Sequence, residues 1–85
     1  MRTNKSRQIL CSHVAHVFRE ERLSQGVSMT KLAKRAGLSQ QMVSYVERQL
    51  RIPTLDTMLR MADALEIDLA VVINRANKSA ANRLE

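Results

Sequence analysis

The stretch Met29–Arg48, MTKLAKRAGLSQQMVSYVER, leaves few options for the backbone. Ser28 offers a side-chain oxygen to the free N–H groups of a new helix, and Met29–Ala36 follows with Leu32, Ala33 and Ala36 on one face. Gly37 takes the left-handed conformation cheaply and stops that helix. Leu38 plugs the turn, and Ser39 caps another short helix from Gln40 to about Arg48. Ala33 is the small residue that a tight crossing of the two helices needs. Val43 and Val46 face the core from the other side.

An alanine, a glycine and two apolar anchors at these offsets follow the plan of a helix-turn-helix, whose second helix enters the major groove of DNA. The outward side of that helix fits the role. At about 100° per residue, Gln40, Gln41, Ser44, Tyr45 and Arg48 share one arc, with Met42, Val43 and Val46 opposite. Glutamine pairs bidentately with adenine, arginine with guanine, and serine with several groups. No acidic residue lies in the arc to repel phosphate. These five are the predicted base-reading residues, against the blander alternative of a solvated helix face.

The rest of the chain divides simply. Residues 1–6 read as a basic tail and 7–66 as the DNA-binding domain, with a first helix from about Arg7 to Ser24 stopped at Gly26. Thr54 caps a fourth helix whose apolar face is Leu55, Met58, Leu59, Ala62 and Leu65. In residues 67–75, Leu69, Val71 and Ile73 alternate with Ala70, Val72 and Asn74, which suits a strand. A fifth helix capped by Asp68 competes with it. Residues 76–85 read as a flexible tail, and Leu84-Glu85 as a vector-derived remnant.

Composition narrows the partner. With 14 Lys/Arg against 8 Asp/Glu the formal charge is +6, which favours a polyanion. Phe18 and Tyr45 are the only aromatics, too few for the stacking platforms that hold single strands. That leaves double-stranded DNA. Lys31, one turn into the second helix, with Ser28, Thr30, Ser39 and Arg51, supplies the candidate phosphate contacts; Lys34 and Arg35 fit a solvated face equally well. One cysteine, Cys11, allows no intramolecular disulfide and fits a reducing cytosol. With no apolar run long enough for a membrane, the chain is expected to be cytoplasmic and nucleoid-associated.

From Phe18 to Leu65 the sequence resembles the lambda-repressor/Cro-type (XRE-type) helix-turn-helix family. The likeness is carried by Phe18, Arg22, Gly26-Val27-Ser28, Leu32-Ala33, Gly37-Leu38-Ser39, Val43-Ser44, Glu47, Pro53-Thr54, Met58, Met61-Ala62 and Leu65. It implies an all-α, lambda-repressor-like domain of four to five helices, the third in the major groove, and a structural pair between Arg22 and Glu47. Two positions depart from the family pattern. Met29 replaces a glutamine that would contact phosphate and brace the reading helix. Gln49 stands where glycine or asparagine is favoured, and a left-handed residue there costs ~1 kcal/mol, which predicts a loop of different shape over residues 49–52. The tail, Ala-Leu-Glu-Ile-Asp-Leu then Val-Val-Ile, resembles HipA-associated antitoxins, which implies a C-terminal strand pairing across a dimer through Leu69, Val71 and Ile73.

Other chemistry has little support. Cys11 and His13 sit two apart on a helix and point to different sides, so with His16 they make a poor metal site. No phosphate loop or catalytic constellation is present, and neither a cofactor nor enzyme activity is expected. The leading expectation is a transcriptional repressor that binds an inverted-repeat operator as a homodimer. An antitoxin that also binds a toxin protein is the alternative. A helical interaction domain without DNA binding ranks third, since acidic residues on the third-helix arc would mark it and none occurs.

Overall fold

The computed structural model describes residues 3–84, and five helices account for nearly all of them. They are α1 (Asn4–Ser24), α2 (Met29–Ala36), α3 (Gln40–Glu47), α4 (Leu55–Ala64) and α5 (Leu69–Leu84). Helix α1 packs against α5 and α3, and α2 against α3 and α4. The core lies between them. It is built from Val14, Val17 and Phe18 of α1, Leu32 and Ala33 of α2, Val43 and Val46 of α3, Met61 and Ala62 of α4, and Val72 and Ala76 of α5.

The helix starts follow the local code. The side chains of Thr3, Ser28, Ser39 and Thr54 each accept from the backbone N–H three residues on, at Ser6, Lys31, Met42 and Thr57. Thr3 therefore starts α1 at Asn4, earlier than the expected Arg7, and residues 3–6 do not form a tail. Met1 and Arg2 of that expected tail, and Glu85 at the other end, lie outside the described residues.

The first four helices also end alike. The residue after each helix's last full turn is left-handed: Gly26, Gly37, Gln49 and Glu66, with φ of 68°, 70°, 63° and 55°. The next N–H, from Val27, Leu38, Leu50 or Ile67, then donates to a carbonyl five residues back. This closing bond satisfies a carbonyl the helix leaves open. Gln49 thus takes the conformation that the sequence marked as costly, because the same closure is needed there.

The tail corrects the sequence reading. Residues 67–74 hold no strand; Asp68 caps α5 instead, its Oδ1 accepting from Ala70 N at 3.0 Å. Val72, Ala76 and Ala80 are buried, at helical spacing. Two of these lie in or beside the segment expected to be flexible, which is helical through Leu84. The small alanines allow α5 to approach α1 closely, and that burial outweighs the β-preference of Val71-Val72-Ile73. Leu69, Val71 and Ile73 consequently do not form one face. Leu69 and Ile73 pack against the core, whereas Val71 is 45% exposed. In α4, Leu55 and Leu59 are likewise exposed rather than buried, and Met61 takes the core position.

Candidate nucleic-acid interface

The outer side of α3 is a polar face of the helix-turn-helix. Val43 and Val46 are fully buried, so the helix cannot roll about its axis, and the opposite arc is held outward. Gln40, Gln41, Ser44, Tyr45 and Arg48, the five residues predicted to read bases, line one shallow groove together with Met29. Gln40, Gln41 and Arg48 are exposed, while Ser44 and Tyr45 are half-buried. Met29 had no assigned role. It sits at the start of α2, partly buried against the core, and forms the apolar end of the groove. The departure from glutamine at that position was legible; its place in the groove depends on the α2–α3 crossing.

Two of the predicted phosphate contacts also serve the backbone. Ser28 Oγ accepts from Lys31 N at 3.1 Å, and Ser39 Oγ accepts from Met42 N at 3.0 Å. Each hydroxyl keeps its own proton to donate. Thr30 and Lys31 are exposed in the first turn of α2. Arg51 is exposed in the loop after α3, with its guanidinium carbon 5.4 Å from the centroid of the Tyr45 ring. Lys34 and Arg35 are exposed at the far end of α2.

The one acid of α3 is turned away from the groove. Glu47 accepts two hydrogen bonds from Arg22, at 2.7 Å from Nε and 2.9 Å from Nη2. Arg22 Nη1 donates to Val27 O at 2.9 Å. Both residues are buried, and the hydrogen bonds that Arg22 donates to the Glu47 carboxylate hold the Arg22 pKa above its ordinary value despite that burial. The expected structural pair therefore ties α1 to the inner side of α3 and neutralises the only negative charge on that helix.

Cys11, His13 and His16 do not converge. Cys11 is half-buried, His16 lies 3.6 Å from Glu20 one turn on, and no group of three or more metal-ligating side chains occurs among the described residues. No helix there is long and apolar enough to cross a membrane.

Known proteins are similar to this chain. A helix-turn-helix family model matches residues 18–72. Two uncharacterized HTH-type transcriptional regulators of Mycobacterium tuberculosis are 41% identical over 59 residues, covering 69% of this chain and 42% of each relative. The chain thus spans about two fifths of the length of these curated relatives. Among solved structures, the restriction-modification controller protein C.AhdI from Aeromonas hydrophila is 33% identical with a TM-score of 0.69, over 74% of this chain and 94% of that one. The wild-type controller protein C.Esp1396I is 26% identical with a TM-score of 0.79, over 86% of this chain and 95% of that one.

Proposed function

The chain belongs to the XRE-type helix-turn-helix transcriptional regulators, and from that membership we propose that it is a cytoplasmic repressor that binds an inverted-repeat operator as a homodimer. As a regulator of transcription it is a DNA-binding protein and not an enzyme. The observation that carries the proposal is the groove on α3. Its polar residues offer donors and acceptors suited to base edges, and the only acid on the helix is paired inward. In this reading Gln40, Gln41, Ser44, Tyr45 and Arg48 face the bases. Ser28, Thr30, Lys31, Ser39 and Arg51 face the flanking phosphates, which fix register without reading sequence.

A two-fold dimer would set two copies of α3 about 34 Å apart, facing successive major grooves on one side of the duplex. The exposed Ile52, Leu55 and Leu59 support a covered apolar surface beside α4 better than the former strand residues do. The antitoxin reading, with a toxin protein as partner, loses the extended segment that carried it, since residues 69–74 belong to α5. The repressor reading therefore stands first.

Binding to an operator-bearing duplex, measured at two salt concentrations, tests the proposal. Affinity should fall steeply with salt, because cationic side chains displace counterions from phosphate. Gln40→Ala should relax preference at one base pair by roughly 1–3 kcal/mol, whereas Arg51→Ala should weaken all sequences alike. Binding that ignores salt, or a Gln40→Ala protein with intact specificity, would reject the assigned face.

A further inference from the structure

Gln41 and Tyr45 stand one turn apart on α3, and Gln41 Nε2 donates to the Tyr45 hydroxyl at 2.6 Å. A glutamine amide carries two N–H groups and one carbonyl. The bond to Tyr45 uses one N–H and restrains the orientation of the amide. The other N–H and the carbonyl remain free in the groove, and they are the donor and acceptor that match N7 and the N6 amine of adenine. Having accepted from Gln41, the phenol still has its own O–H to donate. The pair therefore presents two donors and one acceptor in a fixed order.

Tyr45 is in turn held from its other side. The Arg51 guanidinium lies over its ring, 5.4 Å from the centroid, within the range of a cation–π contact. The Tyr45 carbonyl accepts from Leu50 N at 2.8 Å and from Arg51 N at 3.3 Å. The loop that carries Arg51 is thus tied to the residue that orients Gln41.

We propose that Tyr45 is a positioning residue that joins base reading to phosphate binding: it presets the Gln41 amide for one adenine, offers its hydroxyl proton to an acceptor on the neighbouring base, and holds Arg51 against the flanking phosphate. The inference rests on α3 being the reading helix. Its physical basis is pre-organisation. A free glutamine and a free arginine on a helix surface must each be immobilised when DNA binds, and that entropy opposes association. Here both are ordered beforehand by the same ring.

Selection of binding sites from a random-sequence duplex library tests the inference, with Gln41→Ala, Tyr45→Phe and the double variant compared to the unaltered protein after matching helix content by circular dichroism. Tyr45→Phe keeps the ring under Arg51 and removes only the hydroxyl. Gln41→Ala should lower the preference for adenine at one position by roughly tenfold. Tyr45→Phe should lower it at that same position and relax the adjacent one. The double variant should be no worse at the adenine than Gln41→Ala, the non-additivity expected of residues acting together. Salt dependence separates the second function of the ring: Tyr45→Leu should reduce the slope by about one phosphate contact, as Arg51→Ala does, while Tyr45→Phe leaves it unchanged. A residue that only supports the fold would weaken all sequences and leave the base profile in place. A Tyr45→Phe profile identical to that of the unaltered protein, or an effect simply additive with Gln41→Ala, would overturn the inference while α3 kept its role. An unaltered protein that selects no sequence would overturn both.

Discussion

Arg22 and Glu47 sit at the meeting point of α1, α3 and the turn into α2, and every polar atom of the pair is aimed at a partner. An ion pair out of water recovers little net stability, because desolvating both charges offsets their attraction. Removing one member is a different matter, since it strands the other. Arg22→Ala or Glu47→Ala should each destabilise by about 3–5 kcal/mol, with strong coupling in a double-mutant cycle of urea denaturation. Additive effects would show that the two side chains do not support one another. Gln49 offers a test of opposite sign. Its φ of 63° is a conformation glycine adopts freely, so Gln49→Gly should raise stability by ~1 kcal/mol in the same denaturation assay. A loss of stability would mean that the side-chain contacts of Gln49 outweigh its backbone strain.

Helix α5 is held by apolar packing and by a bridge to α1. Arg75 Nη1 donates to Glu21 Oε1 at 2.8 Å, and Gln25 and Ser24 reach the other carboxylate oxygen at 3.3 Å. The Arg75 hydrogen bond is the main reason that the Glu21 carboxyl is held below its ordinary range, with Gln25 adding to it. The unfolded chain therefore binds a proton at Glu21 at a higher pH than the folded chain does. The stabilisation is complete above the ordinary glutamate range and is lost as pH falls through the lowered value. Arg75 is partly solvated, so screening keeps the effect small. Thermal melts across the acid range should show Glu21→Gln removing part of the wild-type slope. Parallel curves for the two proteins would show that the bridge contributes nothing to the attachment of α5.

At the scale of the whole molecule, the question is how a small domain with a modest core is completed. Ile52 is 75% exposed, Leu55 62% and Leu59 42%, and the last two lie one turn apart on α4. In the proposed dimer a second copy covers them. Replacing Leu55 and Leu59 together by serine should shift the protein towards monomer in sedimentation equilibrium. It should also weaken binding to an inverted repeat far more than binding to a half-site, because only the former needs both copies. An unchanged dimer with unchanged operator affinity would place the interface elsewhere. Truncation after Leu65 is a poor substitute for this test, as it would strip Val72, Ala76 and Ala80 from the core.

What the sequence determined by itself was local. Ser28 and Ser39 cap helices, Gly37 turns the chain left-handed, and alternate sides of a short helix divide into Val43 and Val46 within and Gln40, Gln41, Ser44, Tyr45 and Arg48 without. Each of these signals is complete within a turn or two of chain, so no distant residue is needed to read it. The tertiary structure decided the rest. Residues 69–74 carry a strand's alternation, yet the face α1 presents to them rewards the longer spacing of Val72, Ala76 and Ala80, and the segment is a helix. Glu66 looks like an ordinary surface residue, but closing α4 forces it left-handed, as the closure of α3 does Gln49. Leu55 and Leu59 fit an apolar helical face as well as Met61 does, and only the packing of α4 against α2 and α5 selects Met61 for the core. Periodicity specifies which residues share a side of a helix; which side is buried depends on surfaces that distant parts of the chain supply.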